Sequence, residues 1–312
     1  FFKIMKILIC DKLEKEVVDK FSEIGEITDI SISKEKNKDL LSNIVDSEIA
    51  VIRSGTKLNK EILQKASNLK IIARCGVGID NIDIEEASEN NIYITNSPNA
   101  NIISVAELTI GLIISAARKI HTSNNSLKAK NWDRSSFLGT ELYGKQLGLI
   151  GFGKAAREVS KRMLAFGMNV VFFDPYVVES DVQEKKVDLD ELLMTSDVIS
   201  IHVVKTAETL NLLNNEKLNL IKSGGIVVNT SRGGIVDEET LFQLSKEDIL
   251  FAGLDVYNEE PPNIDDKFSN SNIVTTPHLG ASTKEAQLRA GFETVQNVKD
   301  ILNGDLSSVI NI

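Results

Sequence analysis

Short β-branched runs alternate with amphipathic helical stretches along the first hundred residues, and after a long apolar stretch the alternation restarts at Gln146. Residues 6–10, 49–53 and 70–74 read as strands, with helices at 12–22 and 59–66 between them. From Gln146 the pattern predicts a strand to Gly151, a helix to Phe166, and strands at 169–174, 198–203, 225–230, 251–256 and 272–277. A helical crossover returns the chain to the same end of a sheet, so the strands it joins run parallel. The expected class is α/β, with two open parallel-sheet domains, one after the other.

At about 100–200 residues per domain, 312 residues also make two domains. The content of 42% apolar and 26% charged residues is that of an ordinary globular chain and excludes a collagen, a coiled-coil rod or a disordered tail. With 35 basic against 45 acidic residues and no basic stripe, a polyanionic partner held by bulk charge is excluded as a first expectation. Cys10 and Cys75 have no spacing for a disulfide scaffold or structural zinc, which fits a reducing, cytoplasmic compartment. No run reaches the ~18–20 apolar residues of a membrane span; residues 104–117 are interrupted by Glu107 and read as a buried helix. The start, Phe1 to Lys6, lacks the apolar core and cleavage site of a signal peptide, and Met5 is a candidate native start. Residues 101–119 are expected to form a helix between domains and between subunits. The last helix, 283–302, is expected to return to the first domain and leave a cleft between the two.

Chemistry concentrates at strand ends. After the strand ending at Ile150 comes Gly151-Phe152-Gly153-Lys154-Ala155-Ala156, opening a helix. In such a turn the first glycine permits the bend, the second lets a pyrophosphate reach main chain, and the helix N-terminus supplies N–H donors. Ala156 adds a methyl at the third position. The next strand ends at Asp174, 23 residues after Gly151, where a carboxylate accepts both ribose hydroxyls and repels a 2′-phosphate. The expected cofactor is NAD rather than NADP.

Of three histidines, His202 and His278 fall at carboxyl ends of expected strands, where open α/β sheets take their ligands. His121 and His202 are expected to be structural. His278 has chemical company: Arg232, flanked by Gly233 and Gly234, suits a bidentate grip on a carboxylate, and Glu260 precedes Pro261 just past another strand. Histidine exchanges protons near neutral pH.

These motifs together (Gly151-x-Gly153 with Asp174, Asn229 to Asp237, Gly253 to Pro262, Pro277 to Thr283) resemble the NAD-dependent D-2-hydroxyacid dehydrogenases over essentially the whole chain. The resemblance implies a Rossmann-type NAD domain at 99–281 and a flavodoxin-like substrate domain from 1–98 and 282–312. It implies that Arg232 binds the substrate carboxylate and carbonyl, that His278 is the acid/base, and that Glu260 hydrogen-bonds His278. Val77, Lys154, Ala155, Val203, Thr230, Ser231, Asp255 and the 278–281 loop with Gly280 and Ala281 would line NAD, Asp255 holding the nicotinamide carboxamide. The chain departs from the family pattern at Ala156, at Lys154 and at Val77, where glycine, arginine and threonine are common.

A surplus of cations narrows the substrate. Arg53 and Arg74 each end a first-domain strand, and Arg134 follows the long helix. A lone carboxylate is served by Arg232, so the extra arginines point to a second anion, and the expected substrate is a phosphorylated 2-hydroxy acid. By the resemblance, main-chain N–H groups of Gly76, Val77 and Gly78 add carboxylate contacts. It further implies a homodimer, and no C-terminal serine-binding regulatory domain. The rivals are a reductase of unphosphorylated glyoxylate or hydroxypyruvate, and a non-catalytic NAD-sensing module. No metal site is expected.

Overall fold

Strand β1 (Met5–Ile9) shows why the first hundred residues form a sheet. Ile7 and Ile9 enter one apolar cluster, while Leu8 and the following Cys10 enter another. Successive side chains leave a strand on opposite faces, so a continuous apolar run is buried on both sides. In the computed structural model, which describes residues 4–178 and 184–312, the strands that follow repeat this division. The first three residues of the N-terminal stretch judged above lie outside the described residues.

Helix α1 (Lys15–Ser22) leads to β2 (Gly25–Asp29), and α2 (Lys36–Asn43) to β3 (Ile49–Ile52). Helix α3 (Lys60–Leu63) precedes β4 (Ile71–Arg74), and α4 (Ile84–Glu89) precedes β5 (Tyr93–Thr95). The sheet order is β2-β1-β3-β4-β5, with every pair parallel. This is the flavodoxin-like order, and its strand order reverses between β1 and β3. Of these elements, β2, α2, α4 and β5 were not anticipated. Edge strand β2 carries Gly-Glu-Ile-Thr-Asp, partly exposed throughout, and so lacks the apolar run that marks a central strand.

The second sheet begins after α5 (Ile102–Ala117) and α6 (Ile120–Lys128). Its elements are β6 (Gln146–Ile150), α7 (Lys154–Ala165), β7 (Asn169–Phe173), β8 (Lys185–Lys186), α8 (Leu189–Thr195) and β9 (Val198–Ile201). They continue with α9 (Asn215–Leu218), β10 (Gly225–Asn229), α10 (Glu238–Lys246), β11 (Leu250–Leu254) and β12 (Ile273–Thr275). The order β12-β11-β10-β9-β6-β7-β8 is again all parallel. The chain winds outward from β6 in both directions, which makes this a Rossmann-type sheet with its switch point between β6 and β9. Leu147, Leu149, Ile226 and Val228 fill the face under α5 and α7, and Ile150, Ile199, Ile201 and Val227 fill the other. Each such fully buried aliphatic side chain contributes roughly 1.5–3 kcal/mol.

Helix α5 ends sooner than the expected stretch to Lys119. Lys119 takes the left-handed conformation, φ 51°, and a separate helix starts at Ile120. His121 therefore lies in the first turn of α6, and its Nε2 contacts the Ser271 carbonyl at 3.1 Å.

Helix α11 (Lys284–Leu302) returns to the first sheet, where Val295, Val298 and Ile301 join Ile7, Ile9 and Val51. The contacts divide the chain into residues 1–101 with 281–312, and residues 102–280. These limits fall three residues past and one residue before the boundaries expected at 98/99 and 281/282. None of the described helices is long and apolar enough to cross a membrane.

Candidate active site

In the 102–280 unit, the glycine turn follows β6 at the switch point. Gly151 has φ +85°, and a Cβ there would lie 2.8 Å from both the His202 carbonyl oxygen and Val203 Cγ1. Only glycine makes this turn. A Cβ on Gly153 would meet no protein atom within 4 Å, so packing does not require that glycine. It caps α7 with no side-chain bond, and a helix N-terminus of this kind is where a dinucleotide's pyrophosphate approaches main chain. Ala156 is fully buried with Leu147 and Leu149, which absorbs its extra methyl. Lys154 is exposed and Ala155 half-buried at the start of α7.

Asp174 follows β7. Its Oδ2 accepts the Phe152 N–H and its Oδ1 the Tyr176 N–H, both at 2.8 Å. One oxygen braces the glycine turn and the other caps the Pro175 bend, and each keeps a further lone pair for a ribose hydroxyl. The residues present thus fit a dinucleotide with an unphosphorylated ribose.

Arg232 sits in a turn fixed by Asn229. The Asn229 amide donates to the Arg232 carbonyl at 2.9 Å, and its Oδ1 accepts from the Ser231 N–H and hydroxyl at 3.0 and 2.9 Å. Thr230 is buried, its hydroxyl 2.8 Å from that of Thr109 on α5. The turn is pressed onto the segment after β11: a Cβ on Gly233 would lie 1.7 Å from the Tyr257 carbonyl oxygen. Gly234 N–H donates to Asn258 Oδ1 at 2.6 Å. Tyr257 N–H in turn donates to Glu260 Oε1 at 3.1 Å, so the Arg232 turn and Glu260 share one rigid support.

Glu260 Oε2 lies 2.6 Å from His278 Nδ1. A carboxylate accepts, so Nδ1 carries the proton of that bond and Nε2 is left for chemistry. His278 is held at φ +53°, with its N–H on the Asp255 carbonyl at 2.9 Å. Asp255 is fully buried, and its carboxylate accepts from the Thr276 hydroxyl and Leu279 N–H at 2.6 Å and the Gly280 N–H at 2.8 Å. Burial raises its pKa, and those three donors oppose the rise. Through these bonds Asp255 ties down the loop that carries His278. Burial pushes the Tyr257 hydroxyl up to about 12, and it donates to the Thr276 carbonyl at 2.8 Å. His202, with Nε2 on the Ser200 hydroxyl at 2.8 Å, is pushed down to about 4 by burial. It is neutral near pH 7, as a structural histidine should be.

In the other unit, Arg53 and Arg74 sit at the carboxyl ends of neighbouring strands, Ile52 of β3 pairing with Arg74 of β4. The Arg53 N–H donates to Asp11 Oδ2 at 2.6 Å and its Nη1 to the Lys12 carbonyl at 3.3 Å. Arg74 Nη1 donates to the Cys75 carbonyl at 2.8 Å, folding the guanidinium over Gly76. Half-buried Val77 and Gly78 continue this loop. Ser97 N–H holds the Gly76 carbonyl at 2.9 Å, and the Asn96 amide holds the Val77 carbonyl at 2.7 Å. The Ser97 hydroxyl donates to the Ala290 carbonyl of α11 at 2.8 Å. Ala281 falls in this same unit, and exposed Arg134 in the other. No group of three or more potential metal ligands occurs among the described residues.

The model of the D-isomer specific 2-hydroxyacid dehydrogenase NAD binding domain matches residues 110–280, more than half of the chain. The chain belongs to that family. It is 44% identical over 315 residues to a D-3-phosphoglycerate dehydrogenase of Methanocaldococcus jannaschii, covering 99% of this chain and 60% of that one. It is 43% identical over 297 residues to a hydroxypyruvate reductase of Thermotoga maritima, covering 94% and 97%. The solved structure of an NAD⁺-bound 3-phosphoglycerate dehydrogenase of Entamoeba histolytica is similar at a TM-score of 0.82, with 28% identity and 99% of both chains covered. The chain thus spans about three fifths of the length of the M. jannaschii dehydrogenase. In this family's terms, the matched segment holds the glycine turn, Asp174, Arg232, Glu260 and His278, while Arg53 and Arg74 lie before it.

Every one of these ionisable residues was legible in the sequence from its place at a strand end. The sequence did not single out Asp11, Ser97 or Thr109 as supports, nor the clamp made by Asp255. The clearest local signal was Asn229, a short amide at a strand end ahead of Ser-Arg-Gly-Gly, the usual mark of a side chain that closes its own turn.

Proposed function

We propose that this chain carries the catalytic part of a D-3-phosphoglycerate dehydrogenase. The reaction is NAD-dependent oxidation of 3-phospho-D-glycerate to 3-phosphohydroxypyruvate, the entry to L-serine synthesis. The observation that carries the reading is the 2.6 Å bond between Glu260 and His278, on the same support as Arg232. Similarity to phosphoglycerate dehydrogenases of several organisms supports it.

NAD, when bound, supplies the hydride acceptor. Main chain at Gly153 and the start of α7 holds the pyrophosphate, and Asp174 the adenosine ribose. Arg232 pairs with the substrate carboxylate and orients C2. His278 Nε2 takes the hydroxyl proton, and Glu260 fixes the ring through Nδ1. In reduction the same nitrogen returns the proton. Arg53 and Arg74 supply the positive charge for the phosphate, Gly76 to Gly78 main-chain donors for the carboxylate, and Arg134 a further cation. We read the protein as a cytoplasmic homodimer. Trp132, Leu138 and Tyr143, 80%, 85% and 75% exposed in the stretch leading to β6, support contact with a second copy.

A reductase of the unphosphorylated acid is the second reading, favoured by the 43% identity to the T. maritima enzyme. The test follows NADH absorbance with phosphohydroxypyruvate beside hydroxypyruvate, glyoxylate and 2-oxoglutarate. The phosphorylated acid is expected to give the highest kcat/KM, and Arg53→Ala to raise its KM by roughly tenfold or more, one charge-assisted contact of about 1.5–3 kcal/mol. Preference for hydroxypyruvate would leave the mechanism and replace the substrate.

Asp174→Ala is expected to weaken NADH binding roughly tenfold and to bring NADPH to similar affinity, as loss of the ribose contact and of the repulsion requires. Fluorescence titration with both nucleotides measures it. Unchanged NADH affinity would reduce Asp174 to a strand cap.

A further inference from the structure

The strand reversal between β1 and β3 sets two oppositely charged residues side by side. Asp11 lies two residues past the end of β1, and it is 7% exposed. Its carboxylate is divided between two donors. Oδ2 accepts the Arg53 N–H at 2.6 Å, and Oδ1 accepts Lys36 Nζ, from the start of α2, at 2.5 Å. Gly55 closes over the pair, since a Cβ there would lie 2.7 Å from Oδ1.

The Arg53 guanidinium rests on the Lys12 carbonyl, one residue along from Asp11. Among the described residues no ion pair involves it. A guanidinium prefers a carboxylate, which it grips through two parallel bonds, and a largely buried carboxylate lies within one residue. An anion so placed is costly to leave unpaired, so it takes whichever cation reaches it. Lys36 is the cation that does.

We infer that Lys36 is a counter-ion that keeps Arg53 available to the substrate's second anion by occupying Asp11. The inference rests on the phosphorylated-acid reading above. Asp11 and Lys36 are positioning residues here: the first fixes the Arg53 main chain, and the second prevents the first from capturing the Arg53 side chain. In the absence of the lysine amine, Asp11 Oδ1 turns to Arg53 and the phosphate loses its partner.

The test is a two-step cycle in the full chain with NADH. Lys36→Met is expected to raise KM for phosphohydroxypyruvate roughly tenfold, the loss of one charge-assisted contact, with kcat and the KM for hydroxypyruvate changed less than about twofold. Adding Asp11→Asn to Lys36→Met is expected to bring KM back to within about threefold of the parent, because asparagine still accepts the Arg53 N–H but holds no charge to compete. A purely structural pair would make the double variant worse than the single one. That result overturns the inference, as does an unchanged KM in Lys36→Met or an equal rise for hydroxypyruvate. If the parent enzyme shows no preference for the phosphorylated acid, the functional reading fails instead. The cycle is then read on inorganic phosphate binding by calorimetry: loss in Lys36→Met with recovery in the double variant sustains the counter-ion, and no loss refutes it.

Discussion

Replacing His278 by alanine is expected to lower kcat roughly a thousandfold while NADH affinity stays within a few-fold of the parent. The expectation follows from how the ring is held. Glu260 occupies Nδ1 at 2.6 Å, and the His278 N–H is fixed on the Asp255 carbonyl, so the imidazole has one nitrogen, Nε2, to offer. A positioned acid/base contributes about 10²–10⁴ in rate, and the other two histidines do not replace it. His202 sits on Ser200 and is held neutral by burial, and His121 faces Ser271. Glu260→Gln should cost less, roughly tenfold, because an amide oxygen still orients the ring but no longer balances a charge on it. Stopped-flow NADH oxidation with a parallel binding titration separates the two effects. Turnover retained in His278→Ala would remove the proton-transfer role; turnover absent in the parent as well would favour an NAD-sensing module.

The second large effect is expected at a residue with no side chain. Gly233→Ala places a methyl 1.7 Å from the Tyr257 carbonyl oxygen and 2.1 Å from its carbonyl carbon. Both are backbone atoms, so no rotamer relieves the clash and the two segments must part. Forcing such a separation costs about 3 kcal/mol or more, which for a domain of this size lowers Tm by roughly 6–12 °C. The damage reaches the chemistry, because Tyr257 N–H holds Glu260 and the Tyr257 hydroxyl holds the Thr276 carbonyl beside the His278 loop. We expect kcat/KM to fall at least roughly tenfold even well below Tm, since small displacements of a positioned group are costly. Calorimetry and steady-state kinetics on one preparation measure both. A parent-like Tm would show that the turn moves away freely and that Arg232 and Glu260 are not mounted together.

The central strands were legible because they are buried on both faces. The runs at 49–52 and 198–201 contain four buried residues each, which no helix periodicity imitates. The elements that escaped notice are edge or surface pieces. Strand β8 is two lysines, and β2 is mostly polar; their pairing comes from neighbours, not from their own composition. At the site, glycines and charges announced themselves through spacing at strand ends. Their supports did not, because topology alone brings them together. Thr109 meets Thr230 across 121 positions, and Ser97 meets Thr294 across 197. Asp255 marks a different limit. Its position at a strand end was legible, but the three protein donors on its carboxylate lie 21 to 25 residues further on, outside any local pattern.

The return of α11 to the first sheet has a consequence for the order in which a ribosome delivers this fold. Residues 102–280 are one unbroken stretch and are complete once β12 and the loop after it have emerged. The earlier-made sheet is not: Ile7, Ile9 and Val51 are covered by Val295, Val298 and Ile301, which arrive last. Domains fold as units during synthesis, so the later-coded unit matures first, while the earlier one waits with an uncovered aliphatic face. A nascent chain stalled before Lys284 would carry a finished dinucleotide fold beside a half-built sheet, and that sheet is the part a chaperone would engage.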